Sequence, residues 1–141
     1  AYTDLCPFEG YETVGEALLE PTRIYADLLD PLRSHGARGA AHVTGGGWTN
    51  LTRLGNHRYV VEDPFEPQPV FEFVQSEGSV SDEEMHRTFN MGTGFVAALD
   101  PEAAESLAAA TDGRVIGRVA ETDATAADDE AGTVSIRGME L

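Results

Sequence analysis

Ala41-His42-Val43-Thr44-Gly45-Gly46-Gly47-Trp48 decides the reading of this chain. It places an imidazole, a hydroxyl and three consecutive glycines at the end of an apolar run. Each glycine forfeits more backbone entropy on ordering than any other residue. A folded chain accepts three in a row where the backbone must pass close to something, or turn several N–H groups toward one anion. The competing reading is a flexible surface turn. Gly39 to Val43 has a strand-like pattern before the glycines, and Trp48, Leu51 and Leu54 make an amphipathic turn after them.

Further out, helix and strand signals alternate. Residues 1–20 read as a lead-in, because Pro7, Gly10 and Gly15 interrupt any periodicity. After Pro21, the residues Ile24, Tyr25, Leu28, Leu29 and Leu32 share one helical face, with Pro31 expected to kink that helix and Gly36 to end it. Strands are expected over 38–43, 57–62, 93–99, 114–120 and 133–137. A proline-rich loop fills 63–69 and leads into a short helix with Val70, Phe71 and Val74 apolar. Ser81-Asp82-Glu83-Glu84 has the form of a capping box opening a helix toward Thr88. Asp100-Pro101-Glu102 supplies an N-cap, a first-turn proline and an early acid for an alanine-rich helix to Ala110. The stretch from Glu121 to Glu130 is acidic and alanine-rich, expected as a solvated loop. The fold class is α+β with α/β-type layers: a mixed β-sheet packed with helices.

Composition narrows the function classes. The chain has 141 residues, enough for one domain with a real core. Its net charge is −16, from 25 acidic against 9 basic residues, and every basic residue is arginine. Without lysine the chain supplies no P-loop lysine, Schiff base or lysine general base. No basic stripe exists to displace counterions, so nucleic acid is excluded as a partner. An acidic, lysine-free surface matches a halophilic archaeal source; an acidic interaction surface is the alternative. No apolar run approaches a membrane span and nothing resembles a signal peptide. The single cysteine, Cys6, rules out an internal disulfide, and the expectation is a cytoplasmic chain.

A second glycine-bearing segment, Arg87-Thr88-Phe89-Asn90-Met91-Gly92-Thr93-Gly94, lies between the capped helix and an apolar strand. Its amides and the Asn90 side chain can face a cleft. Alternatively, Gly92 ends the helix, Gly94 serves close packing and Asn90 is a turn residue. No metal-ligand set is read, since His35, His57 and His86 lack ligand spacing and are assigned to surface or packing. Trp48 is expected as a packing anchor beneath the glycines.

Three segments in order carry a resemblance: Glu16-Ala-Leu-Leu-Glu-Pro-Thr-Arg-Ile-Tyr25, then Ala41-His-Val-Thr-Gly-Gly-Gly47, then Glu83-Glu-Met-His-Arg-Thr-Phe-Asn-Met-Gly-Thr-Gly94. Together they resemble the C-terminal half of phosphoribosylformylglycinamidine cyclo-ligase, or AIR synthetase, over residues 10 to 138. The resemblance implies a domain spanning 21–141, with 1–20 leading in from an N-terminal ATP-binding domain that would lie before Ala1. It also implies a homodimer in the full-length protein.

The implied reaction closes the imidazole ring of aminoimidazole ribonucleotide in purine biosynthesis. ATP, with Mg²⁺, phosphorylates the formamide oxygen of formylglycinamidine ribonucleotide, an amidine nitrogen attacks, and phosphate leaves. Such chemistry needs phosphate cradles, oxyanion donors and a proton shuttle. The amides of Gly45, Gly46 and Gly47 with the Thr44 hydroxyl suit a phosphate. Histidine changes charge near neutral pH, so His42 is the candidate acid, base or phosphate donor, a buried imidazole bonded to a carbonyl being its structural alternative. Arg23 is a candidate partner for a phosphate or for a surface carboxylate. Asn90, Gly92, Thr93 and Gly94 would border the same cleft. ATP and Mg²⁺ would be held mainly by the N-terminal domain, and the fragment alone is expected to be inactive.

The chain departs from the family after the glycines, where an aromatic or leucine is commonly followed by Glu-Asn. Here Trp48-Thr49-Asn50 lacks the acid. The segment after Arg53 is short, and Pro64 to Pro69 replaces a tryptophan-bearing stretch. Alternatives are a superfamily sibling, such as a selenophosphate synthetase, a thiamine-monophosphate kinase or a hydrogenase-maturation protein, or a non-catalytic nucleotide-binding module.

Overall fold

The computed structural model describes residues 1–121 and 132–141. In chain order the elements are α1 (Val14–Leu18), a 3₁₀ turn (Ala26–Leu28), α2 (Leu29–Ser34), β1 (Gly39–His42), a 3₁₀ helix (Gly47–Leu54) and β2 (Arg58–Val61). There follow α3 (Pro69–Gly78), α4 (Asp82–Thr88), β3 (Phe95–Ala98), α5 (Pro101–Ala110), β4 (Gly117–Ala120), β5 (Thr133–Ile136) and β6 (Met139–Glu140). The α+β class holds, but the strands form two sheets rather than one. β1 and β3 make an antiparallel pair, and the second sheet runs β4-β2-β5-β6. It is mixed, with β2 antiparallel to β4 and parallel to β5.

The core joins the glycine segment to the second sheet. Trp48 and Leu51 of the 3₁₀ helix pack on Tyr59 and Val61 of β2 and on Val134 and Ile136 of β5. The period-two alternation of strands points these four side chains to one face. Trp48 is fully buried, so its expected role as a packing anchor is met. Its indole N–H finds no partner among the described residues. An unpaired buried donor costs about 1–3 kcal/mol. Burying an indole removes about 150–250 Å² from water, worth about 4–6 kcal/mol, so packing wins.

The local sequence signals place most elements to within two or three residues. Three expectations change. The helix expected after Pro21 does not begin there: residues 21–25 have no helix, and α2 starts only at Leu29. Pro31 is the reason. It lacks an N–H and its ring clashes with the carbonyl four residues back, so it is tolerated only in a first turn. Pro31 is the third residue of α2 and sets its start instead of kinking it. Ile24 is left 81% exposed. Gly36 ends α2 as expected, at φ +69°.

The lead-in is the second change. It contains α1, opened by a reciprocal capping box between Thr13 and Glu16, and an isolated bridge between Leu5 and Thr13. The third concerns caps. The Ser81 hydroxyl accepts from the Glu84 N–H, but the Glu84 carboxylate accepts from Thr88 instead of reaching back. Asp100 precedes α5 without capping it, because both its oxygens accept from Arg38 at 2.8 and 2.9 Å. The expected acidic loop lies, beyond Glu121, outside the described residues. No helix among those described is long and apolar enough to cross a membrane.

Candidate functional site

β1 delivers His42 to the edge of the small sheet, and Val43 then donates its N–H to the Gly94 carbonyl at 2.9 Å. That bond joins the two glycine segments side by side. Beyond it the chain turns sharply: Gly46 and Gly47 have φ of +94° and +51°. The Gly47 N–H closes the turn onto the Thr44 carbonyl at 2.9 Å. Gly47 is buried against the end of α4, where a Cβ would collide with the backbone of His86, Arg87 and Phe89. Its glycine is demanded by both conformation and space.

Asn50 explains the shape of the loop. It is 2% exposed, and its Nδ2 donates to the carbonyls of Thr44 (3.4 Å), Gly45 (3.2 Å) and Gly47 (2.8 Å). Thr49 Oγ1 donates to the Gly46 carbonyl at 2.6 Å. All four carbonyls of residues 44–47 are therefore taken from below. The N–H groups of Thr44, Gly45 and Gly46 make no hydrogen bond among the described residues, and these three residues are exposed. Consecutive free amides of this kind form an anion-binding concavity.

The second segment is built differently. Asn90 Oδ1 accepts from the Gly92 N–H at 3.0 Å, and its carbonyl accepts from the Thr93 N–H at 3.0 Å. Two of the expected cleft donors thus close their own turn, and the Asn90 amide NH₂ makes no hydrogen bond among the described residues. Met91 adopts φ +46° and Gly92 φ +88°, with Gly92 pressed on the backbone of Glu66 and Pro67. Thr93 is 1% exposed, and its hydroxyl has no partner among the described residues. At Gly94 a Cβ would collide with the Tyr25 hydroxyl.

His42 is exposed, not the buried imidazole of the structural alternative. Its ring lies 5.5 Å from that of Tyr25 at 70° and 6.3 Å from that of Phe95 at 46°. Arg23 takes the second of its two expected roles: it pairs with Asp112, Nη2 to Oδ1 3.1 Å, and lies 3.7 Å from Asp27. The hydrogen bond from Arg23 holds the Asp112 carboxyl below its ordinary range. The guanidinium also sits 5.5 Å from the Tyr25 ring centroid. His35 and His86 bond by Nδ1 to the carbonyls of Pro31 and Asp82, each at 2.8 Å, as packing residues.

Sequence reasoning missed Asn50 and Tyr25 as parts of this site. An asparagine three residues after a glycine turn is a legible hint of a side chain folding back on that turn. Tyr25 leaves little local trace, because His42, Gly94 and Phe95, which it meets, lie far along the chain. A cavity of about 450 Å³ runs between α5, β3 and the β2–β4 edge, but its walls are mostly aliphatic (Leu28, Leu32, Leu107 and Val119 among them). Thr93 alone of the candidate residues lines it. Polar convergence belongs to the glycine loops, and we place the candidate site there. Among the described residues no group of three or more His, Cys, Asp or Glu side chains could hold a metal ion.

The family profile of AIR synthase related protein, C-terminal domain, matches residues 3–130. The phosphoribosylformylglycinamidine cyclo-ligase of Methanosarcina acetivorans is 44% identical over 122 residues, covering 86% of this chain and 37% of the relative. That of Methanopyrus kandleri is 48% identical over 115 residues, 77% of this chain and 33% of the relative. That of Thermoplasma acidophilum is 44% identical over 101 residues, 71% and 30%. The chain thus spans about a third of the length of these relatives. The match over residues 3–130 shows that this chain belongs to the AIR synthase related family as a C-terminal domain.

Proposed function

We propose that this chain forms one wall of the active site of an ATP-dependent phosphoribosylformylglycinamidine cyclo-ligase. The observation that carries the reading is the row of free amides at Thr44, Gly45 and Gly46, held open by the Asn50 clamp behind them. Their partial positive charges suit a phosphate, either on the substrate nucleotide or in transfer. His42, two residues before this cradle and exposed, exchanges the proton that ring closure requires. The Asn90 amide of the second segment borders the same space. ATP supplies the phosphoryl group that makes the formamide oxygen a leaving group. The residues here fit a phosphate; ATP and Mg²⁺ belong mainly to the part of the relatives that this chain does not span.

In this reading residues 21–141 are the domain and residues 1–20 lead in from the ATP-binding part. Leu5, Leu19 and Ile24 are 85%, 80% and 81% exposed, apolar side chains whose exposure suits contact with that part and a homodimeric full-length enzyme. We place the protein in the cytoplasm of a salt-adapted cell, on the strength of its lysine-free charge of −16 and single cysteine.

Gly45→Ala tests the cradle in the complete protein. A Cβ at Gly45 meets nothing within 4 Å and its φ is ordinary, so the variant folds. The methyl group projects beside the free amides, where the phosphate would lie. We expect KM for one phosphate-bearing substrate to rise about tenfold, the equivalent of about 1.4 kcal/mol, with the melting temperature unchanged. Unaltered kinetic constants for both substrates would reduce the loop to a surface turn.

A further inference from the structure

We propose that Tyr25 is a positioning residue that fixes the imidazole of His42, two residues before the amide cradle. The inference rests on the reading of His42 as the proton-exchanging group. Neither ring nitrogen of His42 makes a hydrogen bond among the described residues, and the residue is exposed at the end of a strand. An imidazole so placed would sample several rotamers. What confines it is aromatic contact. Phe95 lies directly opposite His42 in the β1–β3 register. Tyr25 stacks on Phe95, centroids 5.2 Å apart at 25°, and meets His42 edge-on. Two rings thus hold the imidazole and leave both its nitrogens free for a substrate.

Tyr25 is itself held from two directions. Its hydroxyl end rests on Gly94, the only residue type that fits beneath it. Its face lies under the Arg23 guanidinium, which Asp112 fixes in turn. This trio lies apart from the core formed by Trp48, Leu51 and the larger sheet. Tyr25 is partly exposed, and burial alone gives no reason for so many constraints. Fixing the imidazole beforehand removes an ordering cost from the reacting complex. Loss of Tyr25 therefore falls on kcat and spares KM.

The test uses the complete protein with the variants Tyr25→Phe, Tyr25→Leu, His42→Asn and the double variant. Tyr25→Phe keeps the ring and retains kcat within about twofold, whereas Tyr25→Leu lowers kcat by about tenfold or more with both KM values nearly unchanged. Because Tyr25 acts through His42, Tyr25→Leu causes no further loss once His42→Asn is present. Independent, multiplying losses in the double variant would overturn the inference, as would wild-type kcat in Tyr25→Leu. Should Tyr25→Leu fail to fold, nuclear Overhauser contacts between the two rings in the wild-type protein decide: their presence supports the inference and their absence overturns it. A His42→Asn rate equal to wild type would defeat the proton-exchange role and this inference together. A slow His42→Asn beside a fast Tyr25→Leu defeats this inference alone.

Discussion

Gly45 and Gly47 stand two positions apart and answer to opposite constraints. Gly45 has open space where a Cβ would go, while Gly47 has three backbone neighbours in that place and a left-handed φ. Gly47→Ala must move the end of α4 or unwind the turn. Overpacking of this kind costs about 1–3 kcal/mol and the left-handed residue about 1–2 more. We expect urea unfolding to show Gly47→Ala less stable by about 2–5 kcal/mol, and Gly45→Ala within about 0.5 kcal/mol of wild type. Equal stabilities would show that α4 does not pack on the loop. The same contrast marks what could be read in advance. The glycine run was visible at once as a place of special backbone. Which glycine serves packing and which serves the cradle was not, because α4 and Asn50 decide it from a distance.

At the scale of elements, local chemistry was legible and its long-range uses were not. Pro101 opens α5 as a first-turn proline, as its sequence signals, while Pro69, read as the end of a loop, opens α3 in the same way. The Thr13–Glu16 capping box follows the same sequence rule as Ser81–Glu84, yet interruptions by Pro7, Gly10 and Gly15 hid α1. Periodicity misled after Pro21, where the apolar spacing was right but Pro31 dictated where a helix could begin. The freed Tyr25 went instead to the β1–β3 sheet. Asp100 shows the same competition in miniature: a good capping residue was taken by Arg38 across the fold. Of the site, the segments and their order were legible. That one backbone bond from Val43 to Gly94 unites them, and that Asn90 closes its own turn, required the fold.

For the whole molecule, charge is the dominant global term. Eight of the nine arginines lie within 4.0 Å of a carboxylate. All eight pairs are solvent-exposed, and such pairs contribute about 0–1 kcal/mol each. Carboxylates still outnumber arginines by the net −16, so repulsion outweighs these bridges. Raising NaCl from about 0.1 M to about 1 M shortens the screening length from about 10 Å to about 3 Å. We expect the melting temperature to rise across that range by several degrees, about 3–6 °C for each kcal/mol of repulsion relieved; a fall would show the ion pairs to matter more than the excess charge. The functional account stands on the cradle, and it is tested most directly by following the nitrogen-15 glycine amides of the complete protein as the substrate nucleotide or inorganic phosphate is added. The account predicts that the Gly45 and Gly46 amide protons move downfield and saturate, while Gly47, already bonded to Thr44, moves less. Gly45 and Gly46 resonances that stay in place while the enzyme turns over would contradict it.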